Sequence, residues 1–283
     1  MLRALIIKII PFNSLKVFFL KFLGAKIGAE FKIGLFSTIY TQNYSNIIIG
    51  NYVEIGHNVN IKVSKLKIDN FSMITSNVII TGNGNLTIGK GVYIPSLFID
   101  TSGGVQVGDF TGLAPNGLIY SHNFSHAWFN PGTKYETYKI TIGKRSWFGA
   151  GSSILNSSVG DESLIAAGSI IFQDIPDNSF AIGNPARVLK ANTLNKISIS
   201  LFNDEFFKKD LLNSYKNNKI LFTENLNEIF QAYEIIICNT CSIDTKKIKA
   251  TVLEINKSHI HNMKKSALTI IKELRNWGIF LSD

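Results

Sequence analysis

Histidine is scarce in this chain of 283 residues: His57, His122 and His126 lie in its first two thirds, His259 and His261 near its end. Imidazole exchanges a proton near neutral pH, so each is a candidate proton acceptor or metal ligand. His122 stands out by context. Ile119-Tyr120-Ser121-His122 closes a run of regularly spaced aliphatics, and the chain then departs through Asn123-Phe124-Ser125-His126-Ala127-Trp128-Phe129-Asn130-Pro131-Gly132 before resuming at Ile140. A polar and aromatic excursion from a regular pattern is a typical place for function. His126 sits inside it, where a polar loop residue is the plain reading and substrate contact the sharper one. Cys238 and Cys241 form a Cys-Asn-Thr-Cys motif, but His259 and His261 are separated by one residue rather than the three to five of a zinc pair. The pair reads instead as small cysteines ending a strand, Glu234-Ile235-Ile236-Ile237-Cys238. Two cysteines are too few for a disulfide framework and suit a reducing compartment.

The elements that must hold these residues are written in the spacing of the aliphatics. From Ile140 to Lys190 the chain falls into blocks of about six. Ile142-Gly143-Lys144-Arg145-Ser146-Trp147 precedes Phe148-Gly149-Ala150-Gly151-Ser152-Ser153, and Val159-Gly160-Asp161-Glu162-Ser163-Leu164 precedes Ile165-Ala166-Ala167-Gly168-Ser169-Ile170. A helix repeats its apolar positions every three to four residues and a half-buried strand every two. A period of six with a small residue after the aliphatic fits neither. It suits short strands joined by tight turns and wound as a coil. The register begins at Ile27-Gly28 and Ile33-Gly34 and returns at Ile49-Gly50, Ile55-Gly56, Ile88-Gly89, Val107-Gly108 and Leu113-Ala114. Residues 62–65 and 81–85 break it and are expected to bulge from corners. Strands stacked this way rise about 4.8 Å per coil, which predicts a prism several coils tall.

Apolar residues make up 45% of the chain and charged ones 17%, the balance of a folded protein with ample core. The net charge of +9 asks for an anionic partner. Nucleic acid is set aside, because there is no zinc-finger spacing, no aromatic RNA-binding signature and no compact Lys/Arg run. An acidic membrane surface or a phosphorylated small molecule such as coenzyme A remains.

The blocks, with the closing Ala181-Ile182-Gly183-Asn184-Pro185-Ala186-Arg187-Val188, resemble the hexapeptide-repeat acyltransferases, and most of all the acetyltransferases of sugars and bacterial polysaccharides. The resemblance spans roughly residues 25–190. It implies a mainly β fold, a left-handed parallel β-helix, assembled as a homotrimer with active sites between subunits. It also implies acetyl-CoA as co-substrate and a carbohydrate acceptor, without a metal. His122 matches the family's general base, and the chemistry needs one, since a sugar hydroxyl must lose its proton as it attacks a thioester. Trp147, 25 residues on, matches a tryptophan that lines the thioester site in related polysaccharide enzymes. Gly149, Ala167 and Gly168 would let a pantetheine arm lie along the wall, although any such coil carries small residues there. Arg187 and Lys190 suit coenzyme A phosphates. Asp100 and His126 are candidates for the acceptor, but where the sugar enzymes carry an acceptor-binding Asn this chain offers Ser96 or no equivalent.

The implied reaction is acetyl transfer to a sugar hydroxyl of a bacterial surface polysaccharide or its precursor. An N-acyltransferase of a nucleotide-linked amino sugar is the nearest alternative, and a catalytically silent trimeric scaffold the more distant one. The γ-class carbonic anhydrases share the resemblance but bind metal through three histidines. His57 is several coils from His122 and His126, too far for ligand distances near 2 Å.

Residues 1–24 read as an amphipathic cap. Arg3, Lys8, Lys16 and Lys21 interrupt the apolar run and Pro11 breaks it, so no stretch is long enough to cross a bilayer. No signal-peptide cleavage site follows, and retention of the segment is expected. Its apolar residues can bury the open end of the first coil, and Val17-Phe18-Phe19-Leu20 with flanking lysines can lie on an anionic membrane surface. The expected location is the cytoplasm, at the inner face of the membrane where that contact is made. In residues 191–283 glycine becomes scarce and the period stops, and they are expected to form a separate small α+β domain whose role the sequence does not indicate. Helices are expected over 202–216, 221–230 and 264–277, and strands over 234–238 and 248–255.

Overall fold

The computed structural model describes residues 2–123 and 136–189 and, beyond them, the backbone of four strands. The chain divides into two compact units, Met1–Thr193 and Leu194–Asp283.

In the first unit the chain circles three walls in turn, and each wall is a parallel sheet. The first wall stacks Lys26–Ile27, Ile47–Ile49, Lys65–Ile68, Asn85–Ile88, Val105–Val107 and Ile140–Ile142. The second begins at Lys32–Ile33 and passes through Glu54–Ile55, Met73–Ile74, Tyr93–Ile94, Gly112–Leu113, Trp147–Phe148 and Leu164–Ile165 to Phe180–Ile182. The third climbs from Thr38–Tyr40 through Asn60–Lys62, Ile79–Thr81, Phe98–Asp100, Leu118–Tyr120 and Ser153–Leu155 to Ile170–Ile171, giving seven strands. This is the parallel β-solenoid that the period of six predicts.

The aliphatic of each block points inward and stacks on its equivalent one coil away. Ile39, Ile61, Ile80, Ile99, Ile119, Ile154 and Ile171 form one such ladder, each in register with the next. None of the seven is more than 3% exposed. Each buried aliphatic contributes about 1.5–3 kcal/mol, so such ladders carry most of the solenoid's stability. On the first wall the inward aliphatic is followed by glycine at Gly28, Gly50, Gly89, Gly108 and Gly143, a choice dictated by the coil spacing. A Cβ on Gly143 would run into the backbone of Gly160 and Asp161. Gly143→Ala should therefore destabilise the fold by about 1–3 kcal/mol, read as a lower thermal midpoint. An unchanged midpoint would show that the coils can spread.

Two side-chain ladders satisfy the corner backbone, which the wall hydrogen bonds leave unpaired. In one, Asn51, Asn70, Asp109, Asp161 and Asp177 accept from the backbone N–H of Ala29, Asn51, Lys90, Lys144 and Asp161 on the neighbouring coil. In the other, buried hydroxyls relay between coils: Ser146 Oγ donates to Gly160 O at 2.9 Å and accepts from Ser163 N, and Ser163 Oγ does the same with Pro176 O and Ser179 N.

The open end of the first coil is covered by helix α1 (Leu2–Ile9) and helix α2 (Asn13–Phe22), separated at Pro11. Ile7 and Leu20 enter the core, and Asn13 Oδ1 accepts from Ile33 N at 2.8 Å. Among the described residues no helix is long and apolar enough to cross a membrane.

In the second unit, Ile220–Leu226, Ile235–Cys241, Thr251–Glu254 and His259–His261 form one sheet in that order, the last strand antiparallel. The expected helix over 221–230 is overturned by the strand Ile220–Leu226, which pairs in parallel with Ile235–Cys241. The strand expected at 234–238 extends to Cys241, and within that expected at 248–255 the described residues, Thr251–Glu254, are strand. The helices expected over 202–216 and 264–277 lie outside the described residues. Cys238 and Cys241 share one strand three positions apart, and such positions fall on opposite faces of a sheet.

Candidate active site

The third wall builds the site. Phe98–Asp100 and Leu118–Tyr120 are neighbouring strands paired Phe98 to Leu118 and Ile99 to Ile119. Coil stacking therefore sets the end of one beside the end of the other. After Tyr120 the chain leaves the wall as a two-stranded antiparallel ribbon, with His122 opposite Thr137 and Asn123 opposite Glu136. The excursion seen in the sequence thus springs from paired stems, and His122 stands at their base. Tyr138 N donates to Ser121 O at 2.7 Å and ties the returning stem to the wall.

Asp100 is the hub of this corner. It is 3% exposed, and its carboxylate is ringed by donors. Ser102 Oγ donates to Oδ1 at 2.7 Å. Oδ2 accepts from Ser121 Oγ at 2.7 Å, from Ser121 N at 3.1 Å and from Ser102 N at 3.3 Å. His122 Nδ1 lies 2.7 Å from the same oxygen. Burial by itself pushes the Asp100 carboxyl up. The hydrogen bonds from His122, Ser102 and Ser121 outweigh it and hold the group below its ordinary range. The turn that brings Ser102 round passes through Gly103, where a Cβ would strike the backbone of Tyr138.

His122 is more open, with 22% of its side chain exposed against 5% for Asp100. Tyr120 packs edge-on to its ring with centroids 5.6 Å apart, and Phe98 lies 5.3 Å from Tyr120. A carboxylate at Nδ1 favours the tautomer with hydrogen on that nitrogen. The lone pair then sits on Nε2, the form required of a proton acceptor.

Asp100, expected from sequence to contact acceptor hydroxyls, therefore faces Ser102, Ser121 and His122 rather than open surface. Trp147 stands on the second wall, 47% exposed, between Gly112 and Leu164 in register. A Cβ on Gly112 would reach 2.5 Å from the indole, so the missing side chain makes room for that ring. Gly149 stacks on Ala167 at the next corner, and Ala167 and Gly168 are exposed. Arg187 opens the exposed strand Arg187–Leu189, which pairs antiparallel with Phe180–Ile182 at the top of the second wall. The fold thus joins Asp100 to His122 and distributes Trp147, Gly149, Ala167, Gly168 and Arg187 along another wall. His126 and Lys190 lie outside the described residues. His57 belongs to a corner, where its Nδ1 accepts from Leu35 N at 3.0 Å. Among the described residues no three His, Cys, Asp or Glu side chains form a metal-binding group.

Ser102, Ser121 and Tyr120 were not singled out by sequence. The Asp-Thr-Ser-Gly-Gly run at 100–104 is a turn signature, and the Ser next to His122 was the other available signal.

No protein-family model matches the chain. It is 37% identical over 111 residues to the galactoside O-acetyltransferase of Escherichia coli K12, covering 38% of this chain and 54% of that protein. It is 33% identical over 128 residues to an acetyltransferase-like protein of Staphylococcus aureus Mu50, covering 44% and 63%. The chain spans about half the length of the curated relatives it matches. Among solved structures, the AntD N-acyltransferase of Bacillus cereus, crystallised with dTDP and coenzyme A, aligns with a TM-score of 0.43 at 23% identity over 67% of this chain and 95% of that one. In sequence, the homologues of this β-solenoid are acetyltransferases, a galactoside O-acetyltransferase among them.

Proposed function

We propose that the chain is an acetyl-coenzyme A-dependent O-acetyltransferase acting on a sugar hydroxyl of a bacterial surface polysaccharide or its precursor. The observation that carries this reading is the pair formed by His122 and the buried Asp100, 2.7 Å apart at the base of the ribbon. His122 Nε2 takes the proton from the acceptor hydroxyl while that oxygen attacks the thioester carbonyl. The carbon–sulfur bond then breaks, and the proton passes from His122 to the departing thiolate. A backbone N–H near Trp147 is assigned to the developing oxyanion. Asp100 positions the imidazole and balances its transient charge, and His126 in the excursion is assigned to the acceptor.

The thioester donor is assigned to the second wall, with its arm along Gly149, Ala167 and Gly168 and its phosphates toward Arg187 and Lys190. Sites completed by a neighbouring subunit would bring that wall to His122. Ile79 and Leu118 on the third wall, 48% and 41% exposed, suit a contact between prisms in a homotrimer.

The test is acetyl transfer from acetyl-CoA to a panel of sugars offering hydroxyls alone or a free amine. Transfer to hydroxyl acceptors is expected, whereas transfer confined to amines would replace this reading with N-acylation. Arg187→Ala should raise the KM for acetyl-CoA several-fold and weaken its salt dependence, with kcat little changed. A fall in kcat with unaltered donor affinity would remove Arg187 from the donor site.

A further inference from the structure

Helix α2 is patterned against the usual order. One of its two lysines faces in: Lys16 is fully buried, and its Nζ donates to Gly34 O at 2.6 Å, beside the equally buried Leu20. Its outward face carries Leu15, Phe18 and Phe22, spaced to share one side of a helix. Helix α1 and the link between the helices add Leu5, Ile6, Ile9 and Phe12. These seven side chains are between 38 and 75% exposed. Scattered apolar residues on a surface need no explanation, but a set this dense within 18 residues marks a contact face.

Charge points to what covers it. Arg3, Lys8, Lys21 and Lys26 are exposed along the same segment, and the first acidic residue of the chain is Glu30. A second copy of the chain would set these cations against their own kind. A bilayer rich in anionic lipid offers negative charge at its surface and apolar depth just below it, the two properties this face matches. With 8 and 10 residues, the helices suit the interface plane rather than a crossing.

We propose that α1, Phe12 and α2 form a docking face for an anionic lipid surface, with the phenylalanines entering the acyl boundary and the cations meeting the headgroups. The inference does not depend on the acyl-transfer reading, since its test measures vesicle binding and not turnover. The full chain is floated with vesicles of phosphatidylglycerol and phosphatidylethanolamine, and separately with phosphatidylcholine alone. Binding to the anionic vesicles is expected, with loss toward 1 M salt as the screening length falls to about 3 Å. Phe18→Ser with Phe22→Ser should lower the bound fraction roughly tenfold at an unchanged thermal midpoint. Lys8→Glu with Lys21→Glu should do the same with the apolar face intact. Equal binding to phosphatidylcholine, binding to neither vesicle, or variants that bind like the parent would overturn the proposal. It also falls if the serine variant dissociates into smaller species while no form of the protein binds vesicles, because the face then joins copies of the chain.

Discussion

Replacing His122 with alanine is expected to lower turnover by roughly 10²–10⁴-fold, the contribution of a positioned general base. A sugar hydroxyl is a poor nucleophile at neutral pH, and no other imidazole among the described residues stands at this corner. Donor affinity should stay near parental and the thermal midpoint should fall only modestly, because Asp100 keeps its donors from Ser102 and Ser121 when the ring is lost. His122→Asn should not restore the rate. An amide can hydrogen-bond the acceptor but cannot take its proton. Parental turnover in the alanine variant, measured on an accepted sugar, would end the general-base assignment.

Asp100→Asn should cost nearly as much by another route. The amide presents N–H where the carboxylate accepted, so His122 Nδ1 becomes the acceptor and Nε2 carries the hydrogen. A base with its lone pair turned away is idle, and a loss of roughly 10²–10⁴-fold in kcat with little change in KM is expected. The same variant should alter acid stability in a way that a packing role alone would not. The carboxyl is held low in the folded state, so its contribution is complete above its unfolded value and drains away as pH falls through the folded one. The parent should therefore lose stability in the acid range below ordinary carboxylate titration, and Asp100→Asn should lack that component. At neutral pH the variant should be less stable by about 1–3 kcal/mol, because four donors from Ser102 and Ser121 and an imidazole lose a charged acceptor. An Asp100→Asn protein with parental turnover would reduce the pair to a structural contact.

The solenoid was legible because its physics is local and repeated. Ile142-Gly143 and Val159-Gly160 state the coil rise and the inward position in two residues, and every turn says the same thing again. His122 was legible because the repeat stops there. The environment of Asp100 was not, since Ser121 reaches it across 21 residues and only through the stacking of one coil on the next. Nothing near Asp100 in sequence distinguishes a carboxylate facing acceptor from one ringed by donors. The buried Lys16 was hidden for a related reason: lysine reads as a surface residue until Gly34 is seen to lie above it. In the second unit the period of six is absent, and the run 220–226 satisfies helix and strand patterns alike until its pairing with Ile235–Cys241 is known.

The paired stems of the ribbon bear on how acceptor preference could be re-engineered. His122 and Thr137 face each other across one register pair, so the chain between them begins and ends at a fixed point. A segment of different length or composition can be grafted between Asn123 and Glu136 without changing the coil beneath it. Asp100, Ser102 and Ser121 remain outside the graft, and His122, the proposed proton acceptor, keeps its partners. On the proposed assignment of the acceptor to this excursion, swapping that cassette between related chains should change acceptor preference while leaving the Asp100–His122 pair in place, making the ribbon a natural unit for library design.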